Sequence, residues 1–203
     1  MYVVLLTGGL ASGKDTVCAY LEELGASTLD LDVIAKEEQE NSLVLEQLEE
    51  AFGDDIVDDF GSLNRRLLAE RAFASREAAD MLNAICWPPV QDRVADYILG
   101  SSCQPMNRPG LLVIQIPLLA EAPALLDLKD EVISVVAPEA LRFERAVVRG
   151  MKPEDARNRL DLQVSDDKRI AISDTVFDNS GSVENLRQQV KDWYNERSSA
   201  RLF

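Results

Sequence analysis

The stretch from Gly8 to Lys14, GGLASGK, has the G-x-x-x-x-G-K spacing of a phosphate-binding loop. In such a loop backbone N–H groups converge on a phosphate, and side chains at the glycine positions would block that approach. The lysine would reach the β- and γ-phosphates, and Thr16 would contact phosphate through its hydroxyl and N–H. The alternative is a glycine turn without function. We predict a nucleotide site over residues 8–16: Gly8, Gly9, Leu10, Ala11, Ser12, Gly13, Lys14, Asp15 and Thr16.

Asp15 follows the lysine, where such loops usually carry a Ser or Thr whose hydroxyl binds Mg²⁺. A carboxylate is also a hard oxygen ligand, so one interpretation is that Asp15 binds Mg²⁺ directly or through water. The other is that Asp15 only complements the positive end of the following helix. Both interpretations predict that ATP binding depends unusually strongly on Mg²⁺, because the carboxylate repels the phosphates when the metal is absent.

The loop would need an apolar strand before it and a helix after it, and the neighbouring segments have those patterns. Short apolar runs separated by longer amphipathic stretches favour an α/β protein with a parallel sheet. Strands are predicted in YVVLL (2–6), STLDLD (27–32), LLVIQIPLL (111–119) and EVISVVAP (131–138), and TVFDNSG (175–181) is predicted to be a short strand followed by a turn. Helices are predicted over 14–24, 33–51, from about 65, over 76–99 with an interruption at 87–89, and over 183–196.

Composition restricts the possible functions. The 203 residues suit one domain, and their net charge of −15 disfavours binding to nucleic acid or to anionic membranes. The sequence has no run of apolar residues long enough to cross a membrane, and no signal peptide is recognisable. The absence of histidine excludes imidazole chemistry, and three cysteines without metal spacing suggest reduced thiols in the cytoplasm.

Several further stretches, in order through nearly the whole chain, resemble the dephospho-CoA kinase family. They are LTGGLASGKDTV, LDLDVIAK, FGDDIVDDFGSLNRRLLAERAF, IPLLAE, the pair Arg145 and Arg149, Arg159 and Gln163 in ARNRLDLQV, and DNSG at 178–181. The chain departs from the family pattern at three positions. Asp15 replaces Ser or Thr, Trp87 replaces the usual His before Pro, and Lys36 replaces a common Arg.

The resemblance implies a three-layer α/β P-loop core with a helical insert and a helical lid. The expected core is about 1–31, 105–138 and 174–203, the acceptor-binding insert about 32–104, and the lid about 139–173. It also implies transfer of the γ-phosphoryl group of ATP, with Mg²⁺, to the ribose 3′-hydroxyl of dephospho-CoA. The expected partners are these small molecules alone, and the expected assembly is a monomer or a small homo-oligomer.

For this reaction one carboxylate has to orient the acceptor hydroxyl and take its proton. Asp30 and Asp32 lie two apart at the end of a predicted strand, so they would point to one face. One of them, with Asp32 preferred, is the candidate base, and the alternative is a pair of exposed carboxylates. Arg145 and Arg149 share one helix face and could close over the transferring phosphate. Their alternative is ion pairing with Glu139 or Glu144.

The remaining site residues are implied by the family pattern. Asn179 would lie beside the adenine or serve only as a turn residue, and Arg65 would contact the acceptor or lie on the surface. Trp87 would line the acceptor pocket or fill the core. The expected acceptor-binding residues are Asp32, Lys36, Arg65, Trp87, Pro117 and Leu118.

Two rival functions share parts of this pattern. Another small P-loop kinase, for a nucleoside or nucleotide, would have the same loop and arginines, but the GSLNRR…AICWPP insert matches the dephospho-CoA kinase family better. A degenerate kinase kept as a binding protein would explain Asp15 and Trp87. The retention of Lys14, the aspartate pair and both arginines argues against that reading.

Overall fold

The computed structural model describes residues 1–58, 60–72, 74–100, 110–116 and 129–203, without the side chain of Leu99. The chain divides into two compact units. The first takes in Met1–Asp30 and the described residues of Cys103–Phe203, and the second is Leu31–Ser102 as far as it is described.

The first unit is built on a five-stranded sheet. Its strands are β1 (Tyr2–Gly8), β2 (Ser27–Asp30), β3 (Leu111–Gln115), β4 (Glu131–Val136) and β5 (Thr175–Asp178). They lie in the order β2-β3-β1-β4-β5, and every neighbouring pair is parallel. Because parallel strands bury both faces, the central strands are continuous apolar runs, as the sequence predicted.

The first unit also contains helices. They are α1 (Lys14–Glu23), α6 (Glu139–Val148), α7 (Pro153–Leu162), α8 (Asp166–Ala171) and α9 (Val183–Ser199). Val4 and Leu6 of β1 share a buried core with residues of α1 and α9, whereas α8 contacts β1 and β4. The predicted α/β fold of P-loop type is confirmed. The segment predicted as a lid contains α6, α7 and α8, and its movement stays a prediction.

The second unit is helical. Its helices are α2 (Leu31–Glu38), α3 (Ser42–Phe52), α4 (Arg65–Ala72) and α5 (Arg76–Leu99), with a 3₁₀ turn at Asp54–Ile56. Its buried core is formed by Val44, Leu48, Phe52, Ile56, Leu68 and Ala72. None of the described helices in either unit is both long and apolar enough to cross a membrane.

Local predictions are wrong at several places. The helical segment predicted over 33–51 is divided into α2, which ends at Glu38, and α3, which begins at Ser42. The strand expected over 27–32 ends at Asp30, and Leu31 opens a helix because Leu31 and Ile34, three apart, are both buried on one helical face. Asp32 therefore lies in a first helical turn and does not share a strand face with Asp30. The interruption expected at 87–89 is also absent, because α5 continues through Pro88 and Pro89 and buries Val90 and Val94 beyond them.

Candidate active site

The phosphate loop connects β1 to α1, as its motif predicted. Gly13 has a φ of 111°, a left-handed conformation that glycine adopts without strain. A Cβ atom at Gly13 would also collide with the side-chain amide of Asn179. The second motif glycine is thus required twice, by its backbone conformation and by a close neighbour.

Side chains distant in sequence hold the loop in shape. The Nδ2 of Asn179 donates a 2.7 Å hydrogen bond to the carbonyl of Ser12, and the Oε1 of Gln163 accepts a 2.8 Å bond from the N–H of Leu10. The guanidinium of Arg142 lies so close to Gly9 that a Cβ there would collide with it. Asn179 is buried, so it supports the loop from within the protein.

Lys14 stays close to the loop that it follows. Its Nζ donates to the carbonyls of Gly8 at 2.8 Å and Gly9 at 3.2 Å. Arg145 donates a 3.0 Å hydrogen bond from Nη2 to the carbonyl of Asn179. The predicted cations Lys14 and Arg145 are thus both connected to the loop, the second through Asn179.

Buried donors without a partner collect around this loop. In the described part of the chain, four buried side-chain atoms lack a hydrogen-bond partner: Ser12 Oγ, Arg142 Nη1, Arg145 Nη1 and Arg169 Nη2. All four are N–H or O–H donors, and leaving such a group unpaired costs about 1–3 kcal/mol. Three of them belong to the loop or to arginines beside it. This donor set suits an anion rather than a cation.

Asp15 projects from the first turn of α1 and is largely exposed. Its Oδ1 accepts a 3.0 Å hydrogen bond from Nε2 of Gln115, and its Oδ2 lies 3.9 Å from Nη1 of Arg149. Arg149 is the capping residue that directly follows Val148, the last residue of α6. The predicted pair Arg145 and Arg149 therefore reaches two different parts of the loop region. The expected ion-pair partner Glu139 is instead 2.9 Å from Arg157.

The buried thiol of Cys18 contacts the same glutamine, Gln115, as Asp15 does. It donates to Oε1 of Gln115 at 3.1 Å. Burial, reinforced by the charge of Asp15, raises the pKa of this thiol to about 12. Cys18 is consequently protonated at neutral pH and is no thiolate nucleophile.

Asp30 ends β2 and is the register partner of Gln115 on β3. It lines a cavity of about 300 Å³ at the carboxyl edge of the sheet. The other lining residues are Asp15, Cys18, Ala19, Glu22, Thr28, Leu29 and Gln115. Of the two predicted base candidates, Asp30 is thus the one that the first unit holds near the phosphate loop.

Asp32 belongs to a cavity within the second unit, of about 290 Å³. The cavity is lined by Asp32, Ala35, Lys36, Gln39, Arg65, Leu68, Ala69 and Leu82. Arg65 is fixed there by 2.7 Å hydrogen bonds to Gln39 and Glu40 and a 3.0 Å bond to the carbonyl of Lys36. Three predicted acceptor residues therefore share one cavity.

The other predicted acceptor residues have different outcomes. Trp87 is half-buried on α5, outside the residues that line the cavity and outside the buried core of this unit. Pro117 and Leu118 lie outside the described residues.

Arg142 and Gln115 belong to the loop region but were not predicted from the sequence. Arg142 is buried, with Nε donating 3.0 Å to the carbonyl of Ala137 and Nη2 lying 3.6 Å from Asp166. A basic residue on the face of α6 that carries Arg145 was the available signal. Gln115 had only its place at the end of a predicted strand.

Comparison with known proteins gives one consistent result. The family described as dephospho-CoA kinase matches residues 2–185. A dephospho-CoA kinase from Corynebacterium diphtheriae is 40% identical over 194 residues, which cover 95% of each chain. The crystal structure of TT1252 from Thermus thermophilus is similar with a TM-score of 0.80 and 30% identity, over 96% of this chain and 97% of that one. A dephospho-CoA kinase structure from Campylobacter jejuni has a TM-score of 0.61 at 24% identity, over 96% of both chains, and supports the fold.

Proposed function

The chain belongs to the dephospho-CoA kinase family, and from this premise we propose how its own residues carry out the transfer. The enzyme is an ATP-dependent phosphotransferase that converts dephospho-CoA to CoA, with ADP as the other product. The observation that carries this function is the family match along residues 2–185, which includes an intact phosphate loop. The acceptor atom is the ribose 3′-hydroxyl.

The phosphates of ATP bind to the N–H groups of residues 8–16 and to the N-terminal end of α1. Lys14 exchanges its bonds to the carbonyls of Gly8 and Gly9 for bonds to the β- and γ-phosphates. Arg145 and Arg149 neutralise charge on the transferring group, as arginines do in phosphoryl transfer. The unpartnered donor of Arg145 supports this role, since it can pair with a phosphate oxygen.

Mg²⁺ is the expected cofactor, and the carboxylate oxygens of Asp15 beside the loop are suitable ligands for it. Among the described residues there is no cluster of three His, Cys, Asp or Glu side chains that could hold a metal ion by themselves. Mg²⁺ usually keeps several waters and binds through one or two carboxylates plus substrate phosphates, so the single carboxylate of Asp15 is adequate. When bound, the ion would neutralise charge on the β- and γ-phosphate oxygens.

Lys36 and Arg65 bind the anionic part of the acceptor in the cavity of the second unit. Arg65 suits this role because its guanidinium is already oriented by Gln39 and Glu40. Asp32 or Asp30 takes the proton of the acceptor hydroxyl, and Asp32 is preferred because it shares the cavity with Lys36 and Arg65. Trp87, Pro117 and Leu118 stay proposed as acceptor contacts, and Asn179 as a nucleotide contact.

The acceptor-binding insert at about 32–104, the lid at about 139–173 and the core formed by the rest are part of this proposal. We also propose a cytoplasmic enzyme without nucleic-acid or membrane partners, as a monomer or small homo-oligomer. The net charge of −15 and the free thiols of Cys18 and Cys86 support that setting.

Acceptor-dependent ADP release tests this function. The purified protein is given ATP and Mg²⁺ with dephospho-CoA, with a nucleoside, with a nucleotide, or with no acceptor. We expect stimulation by dephospho-CoA alone, and its loss by a factor of about 10²–10³ in Lys14→Met, which removes a charge that stabilises the transition state. Lys191→Met, an exposed lysine on α9, is the matched control. Stimulation by a nucleoside or nucleotide instead would overturn the acceptor assignment.

A further inference from the structure

Gln115 connects two elements of the phosphate site that are distant in sequence. It is the last residue of β3, the parallel neighbour of β1, so it lies at the sheet edge from which the phosphate loop emerges. Its Nε2 donates to Asp15 at 3.0 Å, and its Oε1 accepts from the Cys18 thiol at 3.1 Å. Both ends of the amide are engaged in this orientation, in which Gln115 presents its N–H group to Asp15.

The chemistry of this pair differs from the usual arrangement. P-loop enzymes divide their contacts to Mg²⁺ between a neutral hydroxyl after the lysine and a carboxylate from elsewhere in the chain. In this chain the residue after the lysine is the carboxylate, and the residue that contacts it from the neighbouring strand is a neutral amide. A second carboxylate at 115 would face Asp15 at hydrogen-bond distance, and like charges so close disfavour each other's ionisation.

The other neighbour of Asp15 does not prevent metal binding. Arg149 approaches Oδ2 to only 3.9 Å, and both side chains are more than half exposed. Such a loose, exposed ion pair is worth little, so a divalent ion can replace it. Gln115, in contrast, holds Oδ1 at a normal hydrogen-bond distance, while the side chain of Asp15 stays 74% exposed.

We propose that Asp15 and Gln115 replace the usual hydroxyl–carboxylate pair with the positions exchanged. The carboxylate follows the lysine, and the neutral group comes from the neighbouring strand. Asp15 supplies the negative charge at the metal–ATP complex, and Gln115 is a positioning residue that orients this carboxylate. This inference rests on the Mg²⁺ use proposed above. It explains why a carboxylate after Lys14 is compatible with a working phosphate site, and it assigns Gln115 a role in metal dependence.

ATP binding without acceptor tests the proposal, because it needs no turnover. The dissociation constant of ATP is measured by calorimetry with and without Mg²⁺. The readout is the value without Mg²⁺ divided by the value with Mg²⁺. In Gln115→Met we expect this ratio to fall by about tenfold or more, because residues that orient metal ligands typically contribute that much to metal affinity. Gln188→Met is the matched control, since Gln188 donates a similar 2.7 Å bond to Asp192 on the exposed side of α9.

Exchanging the two groups separates a metal role from a structural one. Asp15→Ser alone should lower the same ratio, and Asp15→Ser combined with Gln115→Asp should recover most of it, since the carboxylate returns on the other side of the pair. An unchanged ratio in Gln115→Met, or a double variant no better than Asp15→Ser, would overturn the proposal. Circular dichroism melting checks each variant, with Gln115→Asn, whose shorter amide cannot reach Asp15, replacing any Met variant that is unfolded.

The failure of this inference is distinguishable from failure of the proposed function. If the wild-type protein forms CoA while Gln115→Met leaves the ratio unchanged, or while the double variant is no better than Asp15→Ser, only the role of Gln115 is lost. If it binds Mg²⁺–ATP in the expected way but forms no CoA, the acceptor assignment is lost and the role of Gln115 stands.

Discussion

Single residues determine the shape of the phosphate loop through contacts that cross most of the chain. Asn179 is the clearest case, because its buried amide donates to the carbonyl of Ser12 and leaves room only for glycine at position 13. Its backbone carbonyl also accepts from Arg145. One residue thus connects the loop to an arginine that we expect to act on the transferring group.

Asn179→Ala should weaken ATP binding. The substitution leaves the carbonyl of Ser12 without its donor, and an unsatisfied buried group costs about 1–3 kcal/mol, which corresponds to about 5- to 150-fold in affinity. We expect the KM for ATP to rise by about that factor, measured by steady-state kinetics at saturating dephospho-CoA. Asn195→Ala, an exposed asparagine on α9, is the control. An unchanged KM would mean that the loop keeps its shape without Asn179.

Some single residues of the site could be predicted from the sequence, and others could not. The glycines and lysine of the loop were predictable because a phosphate imposes their types and spacing locally. Arg142 and Gln115 were not, since their contacts to Gly9 and Asp15 depend on which elements the fold brings together. Asp15 could be identified as unusual, but its partner could not.

At the scale of helices and strands, the predictions were right where the spacing of buried apolar residues was clear from the sequence. The strands around the loop were predicted well because the central ones are buried on both faces and read as apolar runs. The end of β2 was predicted wrongly, because Leu31 fits both a strand and a helix until its partner Ile34 is seen to be buried with it. The prolines of α5 misled for the same reason, since tertiary packing overrode a local helix-breaking signal.

Glu131 is the residue that ties several elements of the first unit together. It is buried at the start of β4 and accepts hydrogen bonds from Tyr2, Thr175, Trp193 and Arg197. Burial alone would raise the pKa of this carboxyl group, but Arg197 and the other donors hold it below the ordinary value of 4.5. The charged form is therefore favoured by folding.

Glu131→Gln should destabilise the protein by about 3 kcal/mol at pH 7, because Arg197 loses its buried anion and keeps only the exposed Glu196. A carboxyl pKa that is lower in the folded state stabilises the fold above the unfolded value, and this contribution is lost as the pH falls below about 4.5. The difference from wild type in urea unfolding should therefore shrink on acidification. Glu70→Gln, exposed on α4, is the control. A difference that is independent of pH would contradict this assignment.

At the scale of the whole molecule, the family assignment rests on order along the chain more than on any one motif. The phosphate loop alone is common to many enzymes, whereas the match from residue 2 to 185 includes the strand end, the insert, the arginines and the final turn. That is why fold and reaction were predictable from the sequence. The roles of individual acceptor residues were not, because the cavity around Arg65 depends on helices whose packing no motif specifies.

The identity of the product is the most direct test of the central claim, that a phosphate loop with Asp15 in place of a hydroxyl residue supports transfer to dephospho-CoA. Purified protein, ATP, Mg²⁺ and dephospho-CoA would be incubated and the products followed by ³¹P NMR. We predict a new phosphomonoester on the ribose 3′-oxygen, formed in equal amounts with ADP. ADP accompanied only by inorganic phosphate, or no ADP at all from folded protein, would contradict the account.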